Sequence, residues 1–203
     1  MRTPREDSEL SQQEPLQDLQ HGKERFIEDD TQESVGHLFR HRFPWLVFGL
    51  IGGLFTTVII SKYEAILSGD IRLAFFIPII VYMSDAVGTQ TETIYIRHIR
   101  KKGGDFVQYI LKETALGLSL GAFFGLAIGL FAWYWLNSFA VGFTVGLAMF
   151  LNVTLAPILA TVIPTILYKE HNDPALGSGP LATIIQDFIS LLIYFALASA
   201  IIF

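Results

Sequence analysis

Apolar runs separated by short polar stretches dominate this chain, and five of them are long enough to cross a bilayer. They run from about Phe43 to Ile60, Leu73 to Ile96, Val107 to Leu136, Phe139 to Leu167 and Pro180 to Phe203. The last holds about 24 residues, which at about 1.5 Å per residue cover a hydrocarbon core of about 30 Å. The pattern therefore predicts an all-α membrane protein with five transmembrane helices. Lysines and arginines orient it. Arg40 and Arg42 precede the first span, Arg97, Arg100, Lys101 and Lys102 follow the second, and Lys169 follows the fourth. The alternate turns are lean, holding Lys62 and Arg72 on one and no charge around Asn137 on the other. This places the N-terminus in the cytoplasm and the C-terminus outside, in a cell inner membrane. Trp133, Tyr134 and Trp135 then fall at an interface, where an aromatic belt belongs.

Composition sharpens the division of the chain. Hydrophobic residues make up 52% and charged ones 16% of the sequence, against about a quarter charged in a soluble domain. Residues 1–39 carry a net charge of −6 and the remainder +1. The expected domains are thus an acidic tail over 1–39, too polar to bury a core, and a five-span body over 40–203. The polar N-terminus is not a signal peptide. Cysteine is absent, which removes disulfides and thiolate metal sites. The five histidines fall in the tail or in loops, without zinc-site spacing. No nucleophile–base pair, zinc motif or phosphate loop points to an enzyme, and no nucleic-acid partner is expected.

Packing signals are plain. Gly117, Gly121, Gly125 and Gly129 recur every four residues in the third span, and Gly142 and Gly146 repeat the period in the fourth. Small residues at this spacing let helices approach closely in lipid, where no hydrophobic effect drives association. The reading is a tight seam, with a sliding surface as the alternative. Pro78, Pro157 and Pro164 predict kinks. Five spans cannot form one internally duplicated inverted repeat, so a pore is expected in a homodimer of ten helices, by closed symmetry.

Candidate chemistry lies in the acids within the spans. An ionised carboxylate in a bilayer costs several kcal/mol, so such residues face a cavity, a partner or an ion path. Asp187, in the fifth span, and Asp85, in the second, come out at similar depth when residues are counted from each end. Asp85, Thr89, Glu92 and Ile96 follow one helical stripe, and Gly179, Thr183, Asp187 and Ser190 form another. Glu92 and Glu113 fall nearer the cytoplasmic end, either lining an inner mouth or pairing with Arg97 and Lys112. Asn152 offers a neutral oxygen or a helix–helix hydrogen bond. Carboxylate, hydroxyl and amide oxygens suit Mg²⁺, Ca²⁺ or Mn²⁺. A structural ion pair is the alternative for Asp187, but no base lies at its depth on any span.

The stretches RFPWL (Arg42 to Leu46), LAFFIPIIVYM (Leu73 to Met83) with GTQ (Gly88 to Gln90), and DPALGSGPLATIIQD (Asp173 to Asp187) carry a resemblance. Over residues 40–203 the chain resembles the membrane domain of MgtE-type magnesium transporters. The resemblance implies that Asp187 binds hydrated Mg²⁺ in a pore at a homodimer interface, with Thr183 and Gly179 beside it. Where the family commonly reads Met-Gly-Gly-Asn, this chain has Met83, Ser84, Asp85 and Ala86, gaining a mid-membrane acid. Ala160 stands where glycine is common. The helical and CBS regulatory domains often found in the family are not expected here, so gating falls to the tail, a separate regulatory subunit or occupancy of the pore. The reading is a divalent cation channel or transporter, Mg²⁺ first. Its rivals are a proton-coupled carrier or exporter and a non-transporting membrane scaffold.

Overall fold

The computed structural model describes residues 34–102, 106–170 and 174–203. The chain divides into two units, Met1–His41 and Arg42–Phe203, and the acidic tail lies almost wholly outside the described residues. These form helices and turns, with no strand among them. Five long helices carry the fold: α1 Val35–Ser61, α2 Ile77–Lys102, α3 Phe106–Leu136, α4 Phe139–Lys169 and α5 Pro174–Ile201. A six-residue helix, Glu64–Gly69, and a 3-10 turn, Ile71–Phe76, connect α1 to α2. With the 3-10 turn counted into the second, all five have the length and apolarity to cross a membrane.

Three helix starts differ from the sequence reading. α1 begins at Val35, so Arg40 and Arg42 ride on the helix instead of preceding it. α5 begins at Pro174, and Pro180, expected to open it, lies inside. Pro78 is the second residue of α2 and marks its start, not a kink. In a first turn the missing N–H of proline has no intrahelical partner to lose. Pro157 and Pro164 do lie inside α4. Histidines depart too: His37 and His41 share a face of α1 with ring centroids 4.3 Å apart, and His98 lies on α2.

Contacts define the order of the helices. The seam between α3 and α4 runs antiparallel. A Cβ built on Gly117 would meet the Thr154 carbonyl, on Gly121 that of Phe150, on Gly125 that of Gly146 and on Gly129 that of Gly142. α2 and α5 are also antiparallel: Leu73 meets Tyr194, Ser84 meets Gln186 and Ser190, and Glu92 meets Ser178. α2 and α4 run parallel, through Ser84 to Asn152 and Tyr95 to Thr165. α4 is the central helix, with Val145, Ala148, Val153 and Ala156 fully enclosed. α1 is peripheral. Apolar all round and largely exposed, it leans on α5 through Trp45 at Gly177 and Gly52 at Ile184. A helix of that character needs lipid or another helix around it.

Two local devices shape one end of the bundle. Asn137 adopts φ 49° between α3 and α4, a left-handed conformation that asparagine tolerates better than most residues. Ser138 then caps α4, its hydroxyl accepting the Val141 N–H at 3.4 Å. At the same end Asp70 caps the 3-10 turn. It accepts the Arg72 N–H at 3.1 Å and the Arg72 guanidinium at 2.8 and 2.6 Å. These bonds hold the Asp70 carboxyl below its usual range. A lowered pKa stabilises the fold above the unfolded-state value and ceases to do so as pH falls through the folded-state value. Asp70→Asn keeps a cap acceptor and loses the partly exposed ion pair with Arg72, so it is expected to cost about 0.5 kcal/mol at neutral pH, and the difference from the native chain should vanish in acid. Thermal unfolding in detergent across pH 3–7 checks both.

Candidate cation site

Because α2 and α5 are antiparallel, residue numbers rise along one as their partners fall along the other. Asp85 and Asp187 thereby come to neighbouring levels. The Thr183 hydroxyl, one turn before Asp187, donates to Oδ1 of Asp85 at 3.4 Å. Asp85 carries a charge of the same sign and lies near enough to act on Asp187. On its other side Asp187 lines a cleft of about 610 Å³ between α1 and α5, with Thr183, Gly49, Gly53 and Thr56 among its walls. Oδ1 of Asp187 is buried and has no hydrogen-bond partner among the described residues. Gly179, a turn before Thr183, faces open space: a Cβ there would meet nothing within 4 Å. Asp187 thus lines a roomy, mostly apolar cleft while one of its oxygens is buried, and the Thr183 hydroxyl one turn away is bonded to the second acid.

The remaining sequence candidates sit elsewhere. Glu92 lies two helical turns from Asp85, about 10 Å along the axis. It is buried and accepts the Ser178 hydroxyl, which also reaches the Pro174 carbonyl. Glu113 accepts the Thr91 hydroxyl at 2.9 Å. Hydroxyls on neighbouring helices, rather than Arg97 or Lys112, are thus the hydrogen-bond partners of these two acids. Asn152 is 1% exposed and inside the bundle, where its amide donates to the Ser190 carbonyl at 3.3 Å. Its Oδ1 is without a partner among the described residues, and it does not line the cleft. Ser190 bonds to Ser84, so the polar stripe on α5 splits: Thr183 and Asp187 line the cleft, while Ser190 faces the interior.

Two groups of residues escaped the sequence reading. Ser84 and Gln186, each preceding an acid, bond to one another in the core. Their signal was adjacency, since consecutive residues on a helix point about 100° apart and one can serve the core while the other serves a site. The first-span face of Gly49, Gly53, Thr56 and Thr57 forms half of the cleft. Its small-residue spacing was the available clue. Among the described residues no group of three or more His, Cys, Asp or Glu is placed to hold a metal ion. Two carboxylates of one chain with neutral oxygens beside them would leave most of a cation's shell to water, chemistry that suits Mg²⁺.

Five helices long and apolar enough to cross a membrane, two of which bring partly buried acids to neighbouring levels, define a membrane protein of the helical-bundle class. The family model described as "Divalent cation transporter" matches residues 77–197, more than half of the chain, and the chain belongs to that family, MgtE. It is 37% identical over 164 residues to the magnesium transporter MgtE of Bacillus subtilis, covering 79% of this chain and 36% of that protein. To the magnesium transporter MgtE of Enterococcus faecalis it is 37% identical over 174 residues, 84% of this chain and 38% of the relative. The Thermus thermophilus magnesium transporter MgtE is 30% identical over 165 residues, 79% and 36% of the two chains. The chain spans less than two-fifths of the length of these relatives.

Proposed function

We propose that this chain passes divalent cations, Mg²⁺ first among them, across a cell inner membrane down their electrochemical gradient. The observation that carries the reading is Asp187, which lines the α1–α5 cleft and holds a buried oxygen with no hydrogen-bond partner among the described residues. In this reading Asp187 is the principal ligand, supplied as a symmetric pair by two copies of the chain. The exposed apolar surface of α1 supports a partner there. Asp85 adds negative potential, Thr183 a hydroxyl oxygen, and Gly179 the room a hydrated ion needs. Glu92 is a second acid two turns along the same helix, towards the end bearing Arg97. Asn152 serves the helix packing and not the ion. The relatives, magnesium transporters by name, and the preference of a water-rich oxygen shell both favour Mg²⁺ over Ca²⁺ or Mn²⁺. The N-terminus lies in the cytoplasm, by the arginine and lysine distribution. Gating falls to the acidic tail, to a separate regulatory chain or to ion occupancy.

Driving force tests the reading. With the full chain in liposomes, an inside-negative potassium diffusion potential is expected to speed Mg²⁺ entry several-fold, at about 2.3 kcal/mol per charge per 100 mV of potential fully crossed. A pH gradient alone should leave it unchanged. Entry driven by the pH gradient instead would establish proton-coupled exchange. Asp85→Ala at fixed pH is expected to raise the half-saturating Mg²⁺ concentration about fivefold, by removing one nearby charge.

A further inference from the structure

Asp85 and Asp187 ride on different helices, and their match in level depends on how α2 is held against α5. Apolar contacts fix a level poorly in a bilayer, because lipid tails compete with them on equal terms. A directed polar joint fixes it well, since a misplaced buried donor or acceptor costs about 1–3 kcal/mol. Ser84 is the centre of such a joint. Its hydroxyl accepts the Gln186 side-chain amide and, at 3.3 Å, the Ser190 hydroxyl, both from α5. It donates to the main-chain carbonyl of Asn152 on α4 at 3.2 Å. The Asn152 amide closes the ring on the Ser190 carbonyl. Ser84, Asn152, Gln186 and Ser190 are 0%, 1%, 4% and 1% exposed. Gly88, one turn on from Ser84, leaves the space Gln186 uses: a Cβ there would lie 3.4 Å from the Gln186 carbonyl oxygen.

The position of this joint in the sequence gives it a second role. Ser84 immediately precedes Asp85, and Gln186 immediately precedes Asp187. A shift of either joint residue therefore reaches its acid through a single peptide unit. We propose that the Ser84–Gln186 joint, completed by Ser190 and Asn152, is the positioning device that holds Asp85 and Asp187 at one level and thereby sets the affinity of the cation site. The affinity consequence rests on the reading of Asp187 as a ligand; the geometric consequence does not. Alanine at Ser84 removes the acceptor shared by two α5 donors, whereas threonine keeps it.

The absence of cysteine in the sequence makes the geometry directly measurable. Asp85→Cys combined with Thr183→Cys gives a chain with two thiols, at side chains that touch at 3.4 Å. In the full chain in liposomes, the rate of Cd²⁺-induced or oxidative bridging reads the level of α2 against α5 whether or not an ion is transported. Bridging is expected to slow about fivefold with Ser84→Ala or Gln186→Leu, as the loss of one buried hydrogen bond implies. Ser84→Thr should restore it. In the chain retaining both acids, Ser84→Ala should raise the half-saturating Mg²⁺ concentration about tenfold with the maximal rate changed less than about twofold. Again Ser84→Thr should return the native value. Unchanged bridging in Ser84→Ala and Gln186→Leu chains that elute as the native protein does would overturn the proposal. Slower bridging with an unchanged half-saturating concentration overturns its claim on affinity. Slower bridging in a chain whose native form carries no Mg²⁺ overturns the ligand reading of Asp187 and leaves the joint standing.

Discussion

Asp187→Asn is expected to lower Mg²⁺ flux by about two orders of magnitude, the loss of about 3 kcal/mol of ion stabilisation, while leaving the fold intact or firmer. The two effects point in opposite directions for one reason. The carboxylate of Asp187 has a buried oxygen with no hydrogen-bond partner among the described residues, and its charged neighbour is another acid. Without an ion that arrangement is a cost to the folded protein. Asparagine has the same shape and no charge, so it relieves the cost as it removes the ligand. Divalent ions should supply the complementary signature. At a hundredfold excess over its dissociation constant a ligand that binds only the folded state stabilises it by about 2.7 kcal/mol. The native chain should therefore melt higher with Mg²⁺ than with a chelator present, and the Asp187→Asn chain should show no such difference. A residue serving only as a structural partner would show the reverse, with stability lost on substitution and no dependence on the ion.

Gly125→Val is expected to be strongly destabilising. A Cβ on Gly125 would lie 2.7 Å from the carbonyl oxygen of Gly146 and 3.0 Å from the Phe150 Cβ. Main chain cannot swing aside as a flexible side chain does, so α3 and α4 must separate. Overpacking of a tight interface costs about 1–3 kcal/mol, and separation also loses the dispersion contacts of neighbouring turns, a main source of helix association in lipid. A fall in melting temperature of about 5–10 °C follows at this chain length. Gly36→Ala is the control. A Cβ there would meet nothing within 4 Å, and alanine in a helix is better than glycine by about 0.5–1 kcal/mol, so this chain should melt no lower than the native one. Equal melting of all three would show that the seam is not the support it is taken to be.

The existence and order of the helices were legible in the sequence because charge-free runs of span length admit few alternatives in lipid. The depth match of Asp85 and Asp187 was legible too, since antiparallel spans let depth be counted from each end. Helix starts were harder. The segment Gly177 to Pro180 reads as a break, yet it lies inside α5: Gly177 is covered by the Trp45 ring and the Ser178 hydroxyl by Glu92. Tertiary contacts override the local signal there. The facing of polar residues was harder still. Thr183 and Ser190 share a stripe with Asp187, but Ser190 stands two turns further along, where α2 and α4 close over α5. Asn152 shows the same limit: a polar residue inside a span serves a pore or a packing joint with equal ease, and only its neighbours decide which. Ser84 and Gln186 passed unnoticed because they stand beside acids that drew the interpretation to themselves.

One measurement bears most directly on the central claim that this chain conducts divalent cations through a site built on Asp187. Mg²⁺ entry into liposomes would be followed with an enclosed fluorescent indicator at fixed pH, for the native full chain, the Asp187→Asn chain and protein-free vesicles. Entry well above the protein-free rate is expected for the native chain, and entry near that rate for Asp187→Asn in protein that elutes as the native chain does and melts no lower. Native entry no faster than the protein-free rate, for Mg²⁺, Mn²⁺ and Ca²⁺ alike, or undiminished entry through the Asp187→Asn chain, would contradict that claim.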